Sequence, residues 1–129
     1  MGLYVPESYG GAGLGALAFC CAVEEIAWAC ASTAVIYLVQ YAAGYPIVSH
    51  GTDAQKRRYL PRLAAGEITA ALSISEPGAG SDAASMTTTA VRKGDRYLLN
   101  GSKMWVTNGS QAGVITLFAT VDRARGHRG

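Results

Sequence analysis

The chain has 129 residues, half of them hydrophobic and 16% charged, which suits one globular domain or the joined parts of two small ones. Its net charge is +2, with basic residues spread from Lys56 to Arg128 rather than gathered in one block, so electrostatics argues against nucleic acid as a partner. Cys20, Cys21 and Cys30 form an odd set without Cys-x-x-Cys spacing, which argues against a disulfide scaffold or a zinc site and fits a reducing cytoplasm or organelle matrix.

At the start of the chain, Val5-Pro6-Glu7-Ser8-Tyr9-Gly10-Gly11 reads as a turn-rich loop, since proline and successive glycines do not extend a regular element. It would also break a signal peptide, so an intracellular protein is expected. From Ala16, the residues Phe19, Cys20, Val23, Ile26, Ala27 and Cys30 recur at spacings of three and four and predict a helix covering one side of a core. A second helix is predicted over Ala34 to Ala43, ending near Gly44 and the restriction that Pro46 places on Tyr45. Both helices are expected to be largely buried. The uncharged run Ile26 to Ser49 is long enough for a membrane span, but Ser32-Thr33, Gln40 and Gly44 favour two shorter helices packed on protein, without membrane insertion.

Thr52-Asp53-Ala54-Gln55 has the form of a capping box and predicts a third helix over Asp53 to Ala65, stopped by Gly66. Its basic run reads as a solvated face. Beyond Gly66 the segments Thr69–Ser75, Thr87–Arg92, Arg96–Asn100, Lys103–Thr107 and Val114–Val121 are short and rich in threonine, branched and aromatic residues, and predict strands. Gly94-Asp95, Asn100-Gly101 and Asn108-Gly109 supply turns between them. The expected fold is α+β, a helical segment over residues 1–68 followed by an incomplete antiparallel β-barrel-like domain over 69–129. These strands are too few to close a barrel, and a chain cut within a domain is expected.

Two segments carry candidate chemistry. In Leu72-Ser73-Ile74-Ser75-Glu76-Pro77-Gly78-Ala79-Gly80-Ser81-Asp82, Gly78 and Gly80 permit unusual dihedrals and expose amides while Ser75 and Ser81 add hydroxyls. Such a loop suits a phosphate or the polar edge of a flavin, or is simply a tight connection. In Asn100-Gly101-Ser102-Lys103-Met104-Trp105-Val106-Thr107-Asn108, strand alternation would put Lys103, Trp105 and Thr107 on one face, a ligand platform or a piece of ordinary core.

In this order and separation the two segments resemble the signatures of the acyl-CoA dehydrogenase family. The resemblance extends through Val5 to Gly13, Glu24-Glu25-Ile26-Ala27, Ala31-Ser32-Thr33-Ala34, Pro46-Ile47, Gly51-Thr52, Gln55-Lys56 and Tyr59-Leu60-Pro61. It implies FAD as cofactor, with Leu72, Ser73, Ile74 and Ser75 beside the isoalloxazine and Ser75 hydrogen-bonding its polar edge. Gly80 and Ser81 would sit near the phosphate-bearing chains, Ser81 facing both cofactor and substrate. Trp105 and Val106 would flank the ring, and Thr107 would donate toward its N5 and O4 edge. Many relatives have threonine at the Ser75 position, so the hydroxyl is kept and a methyl lost.

The resemblance further implies an acyl-CoA substrate, oxidised to trans-2-enoyl-CoA by removal of an α-proton and a β-hydride. For the complete enzyme it implies an electron-transferring flavoprotein as acceptor and a homo-oligomer. The family's catalytic base lies in a carboxy-terminal helical domain outside this chain, so no catalytic residue is assigned here, and Glu76 reads as a loop-positioning carboxylate. A same-fold flavin-dependent oxidase or monooxygenase, or an inactive fragment, are the alternatives. Val35 to Ala43 line an acyl cavity or ordinary core. Gly11-Ala12-Gly13-Leu14-Gly15-Ala16 fits a loose dinucleotide pattern but lacks a preceding strand, and His50 and His127 lack metal-ligand spacing.

Overall fold

Gln55 donates its amide to the Thr52 hydroxyl at 3.3 Å, and the Thr52 amide donates to Gln55 Oε1 at 2.8 Å. The expected capping box thus forms and starts α3 (Asp53–Ala64), satisfying two amides that the first helical turn leaves without partners. A computed structural model describes residues 1–129. It divides into two units, Met1–Leu72 with Thr107–Thr116, and Ser73–Val106 with Leu117–Gly129.

In the first unit α1 (Ala16–Ala29) and α2 (Ala31–His50) precede α3, and Gly66 takes the expected left-handed conformation after it (φ 74°). Helix α2 does not end at Gly44 as the sequence suggests; it runs through Gly44 and Pro46 to His50. Gly44 is a matter of space, because a Cβ there would lie 1.9 Å from the Tyr4 hydroxyl oxygen, which itself donates to the Gln40 carbonyl at 3.1 Å. Pro46 removes one amide from the helix ladder, while packing on both sides and the Thr116 hydroxyl bond to the Ala43 carbonyl at 2.7 Å hold the axis in place.

The helices are also less buried than their patterns predict. Of the α1 stripe only Phe19 is buried; Val23 and Ile26 are half-buried, and Cys20, Ala27 and Cys30 are exposed. Helix α2 is long and apolar enough by composition to cross a membrane, with 33% of its most apolar window buried. Its buried Gln40, however, accepts from the Ala70 amide at 2.6 Å, a polar contact made with protein. Tyr37, Phe19, Tyr41 and Tyr45 stack in succession with centroids 5.2, 4.1 and 5.3 Å apart, and Tyr4 meets Tyr41 edge-on at 5.1 Å. Tyr4, Val5, Ala43, Leu60, Leu63 and Ala70 form the core. The opening residues through Gly15 contain no strand, so the dinucleotide pattern lacks the element that would lead into it.

Strand β1 (Ala70–Ser73) pairs with β4 (Val114–Leu117). In the second unit β2 (Thr89–Lys93) and β3 (Arg96–Asn100) form an antiparallel hairpin, with Val91 opposite Leu98 and Lys93 opposite Arg96. Gly94 at φ 64° makes its turn. The antiparallel expectation holds for this hairpin, whereas Thr89 and Thr120 bridge in the parallel sense. The fold is α+β with two two-stranded sheets, neither of them closed.

The segment Lys103–Thr107 is not a strand. Trp105 sits at φ 57°, a left-handed conformation that interrupts the pleat, so Lys103 and Trp105 do not share a face. The Lys103 side chain is 8% exposed, and Trp105 is 84% exposed.

Candidate functional site

The second unit has little apolar interior. Its buried residues are Ser73, Glu76, Ala79, Thr88 and Thr120, all polar except Ala79, so hydrogen bonding rather than hydrophobic burial must organise it. Glu76 is the centre. One carboxylate oxygen accepts from the Thr87 amide and hydroxyl, both at 2.7 Å, and the other accepts from the Thr88 amide and Lys103 Nζ, both at 2.9 Å. Burial by itself raises the Glu76 pKa, but the bonds from Thr88, Lys103 and Thr87 outweigh it and hold the carboxyl well below the usual carboxylate range. A carboxylate so saturated and so weakly basic is unsuited to abstract a proton. The structure therefore agrees with a positioning role for Glu76.

Lys103 also donates to the Ile74 carbonyl at 2.8 Å, and the Met104 amide donates to the Ser75 carbonyl at 3.0 Å. These bonds bring the two candidate segments together, Ser73–Ser75 beside Lys103–Val106. Ile74, Ser75 and Val106 are half-buried. The amides of Ser75, Trp105 and Val106 donate to no other backbone group. Next to them stands an indole ring almost wholly accessible on a backbone that L side chains rarely adopt, the kind of outlier that clusters at ligand sites. Amides without a backbone acceptor and a bare aromatic face suit a flat heteroaromatic ring with acceptor atoms at its rim.

Other expected site residues are not drawn into this cluster. Glu76 and Ala79 exchange backbone bonds at 2.9 and 3.2 Å, which makes Pro77-Gly78 the centre of a tight turn. Gly78 and Gly80 do not adopt positive φ as the sequence allowed, but open space surrounds both. Gly80 and Ser81 are exposed. Leu72, half-buried, and Thr107, exposed, belong to the first unit. The sequence placed Lys103 on a face with Trp105 and Thr107 and singled out neither Thr87 nor Thr88, and the convergence of all three on Glu76 had one signal only, an acidic and a basic residue inside the two signature segments, 27 positions apart.

Helices followed by a small sheet, with a polar-centred loop beside a bare indole, are the features that known families can be matched against. The acyl-CoA dehydrogenase N-terminal domain model matches residues 1–67, and the acyl-CoA dehydrogenase middle domain model matches residues 71–129. The chain belongs to the acyl-CoA dehydrogenase family. It is 42% identical over 130 residues to an acyl-CoA dehydrogenase of Bacillus subtilis, covering 100% of this chain and 34% of that protein. The structure of a glutaryl-coenzyme A dehydrogenase in complex with glutaryl-CoA superimposes with a TM-score of 0.93 at 41% identity, over 99% of this chain and 33% of the other. An acyl-CoA dehydrogenase complexed with FAD from Bacillus anthracis gives a TM-score of 0.82 at 39% identity, over 92% and 21%. The chain thus spans about a third of the length of the first relatives it matches.

Proposed function

We propose that this chain is the FAD-binding portion of an acyl-CoA dehydrogenase that converts an acyl-CoA thioester to its trans-2-enoyl-CoA. The observation that carries the proposal is Trp105, left-handed and 84% exposed beside the unpaired Ser75 amide. The FAD bound in the Bacillus anthracis relative supports the choice of cofactor. When bound, FAD supplies the two-electron oxidant for the substrate's Cα–Cβ bond. Leu72 to Ser75 run along the ring, with Ser75 donating to its polar rim. Trp105 and Val106 cover one face, Thr107 donates at the edge, and Gly80 with Ser81 leave room for the phosphate-bearing chains of cofactor and substrate.

The chain's own residues thus bind and orient the cofactor, while the proton-abstracting base belongs to sequence beyond this chain. Residues 1–68 form part of a helical domain and 69–129 part of a middle β-domain whose further strands complete a barrel-like sheet. An electron-transferring flavoprotein as acceptor, a homo-oligomeric whole protein, and a cytoplasmic or mitochondrial-matrix location complete the reading. The three free, exposed cysteines agree with a reducing compartment.

The test is direct. The purified chain is mixed with FAD, freed of excess by gel filtration and examined for a bound-flavin absorption spectrum. A retained spectrum is expected, and W105A is expected to weaken FAD binding about tenfold through lost stacking. No retained flavin at any FAD concentration, in a chain that is folded by circular dichroism, would overturn binding by this chain.

A further inference from the structure

Resting on that flavin reading, we propose that the buried Glu76–Lys103 pair is a positioning device that sets the orientation of the Trp105 indole and the Ser75 amide for the flavin ring. Neither residue of the pair is among the cofactor contacts proposed above, and the pair faces inward: the Glu76 and Lys103 side chains are 3% and 8% exposed. Its connections run outward to the wall. Lys103 ties down the Ile74 carbonyl, one residue before Ser75, and lies two residues before Trp105. Between them, Met104 donates to Ser75. On the far side, Glu76 is anchored by Thr87 and Thr88, and the Thr88 carbonyl accepts from Thr120 at 2.9 Å. A rigid strand pair is missing where one was expected, because Trp105 leaves the pleat. The charged pair takes over the task that a strand ladder performs elsewhere, fixing two segments against each other.

Left-handed backbone at a bulky residue is held only where its surroundings over-determine it. Lys103 and Met104 supply that constraint from the N-terminal side of Trp105. Without the Glu76 carboxylate, the ammonium would be buried without its counter-charge and would leave for water, releasing both Ile74 and the approach to Trp105. The effect on flavin is therefore exerted through Trp105 and Ser75, without contact between Glu76 and the ring.

The test uses the full chain in a W28F background, which leaves Trp105 as the sole tryptophan; Trp28 is 93% exposed, so its replacement disturbs little. E76Q, K103M, the E76Q/K103M double variant and T87V are compared by far-UV circular dichroism, by the near-UV band of Trp105 and by FAD titration. E76Q and K103M are expected to flatten the Trp105 band and to weaken FAD binding about tenfold or more, since each removes a charge-assisted hydrogen bond. The double variant is expected to fall within about twofold of the worse single variant, because the two residues act as one unit. T87V, which loses only a hydroxyl bond, is expected to keep the fold and weaken FAD about threefold. Should E76Q unfold, T87V decides by the same two readouts. Variants that melt earlier yet keep both the wild-type Trp105 band and wild-type FAD affinity would overturn the proposal, leaving the pair a stability element only. A parent chain that binds no FAD while E76Q still flattens the Trp105 band would sink the flavin reading but uphold the positioning of Trp105.

Discussion

A single buried carboxylate governs the second unit, and its protonation has a predictable sign. Glu76 is held below the usual carboxylate range in the folded chain, so its contribution to stability is fully present above the unfolded value of about 4.5 and is lost as pH falls below it. Urea unfolding followed by Trp105 fluorescence in the W28F background, from pH 7 toward pH 3, is expected to show falling stability over the acid range. E76Q is expected to begin about 3 kcal/mol lower at pH 7, because Lys103 is left without its counter-charge, and to show a flatter acid limb. An E76Q variant with the same acid slope as the parent would show that other carboxylates carry the dependence. Tyr4 shows the reverse economy at the same scale: burial, with the neighbouring Tyr37 and Tyr41 adding to it, pushes its phenol up to about 12, so it stays a neutral donor to Gln40 throughout the physiological range.

Among the elements, α3 is the one whose sequence and structure agree most closely, because everything that defines it is local. Its cap, its stop at Gly66 and its inward Leu60 and Leu63 lie within fifteen residues of one another. T52A is expected to cost about 1 kcal/mol, measurable as a lowered urea midpoint, and an unchanged midpoint would mean that tertiary packing alone fixes the start of α3. Where the sequence misled, the deciding neighbour was distant. Gly44 looks like a helix stop until Tyr4, forty residues earlier, is seen to fill the space beside it. Trp105 looks like a strand residue until its backbone is seen to be left-handed, next to residues whose partners, Ser75 and Glu76, lie nearly thirty positions away. The two candidate segments could be picked out as small residues and an aromatic, but their joining by a buried ion pair had no periodic signature. The apolar stripe of α1 was legible too, whereas its exposure was not, since a pattern records which face can be covered without saying what covers it.

For the molecule as a whole, the two units are interleaved along the chain, the first being built from Met1–Leu72 and again from Thr107–Thr116. A truncated chain ending at Leu72 holds all three helices but loses the strand that pairs with β1 and the hydroxyl that bonds the Ala43 carbonyl. It is expected to retain helical circular dichroism yet melt without a sharp transition, as a collapsed state lacking fixed packing does. A cooperative melt equal to that of the full chain would show that β4 adds nothing to the first unit.

The Thr116 bond to Ala43 spans 73 residues, and this separation bears on how the protein is made. During synthesis the helices leave the ribosome first, at about 5–20 residues per second, and wait several seconds for the segment that completes their packing. Throughout that interval the edge of β1 and the apolar side of α2 are open to other nascent chains. A chaperone holding the first seventy or so residues would thus be guarding a unit that still lacks the second of its two chain segments.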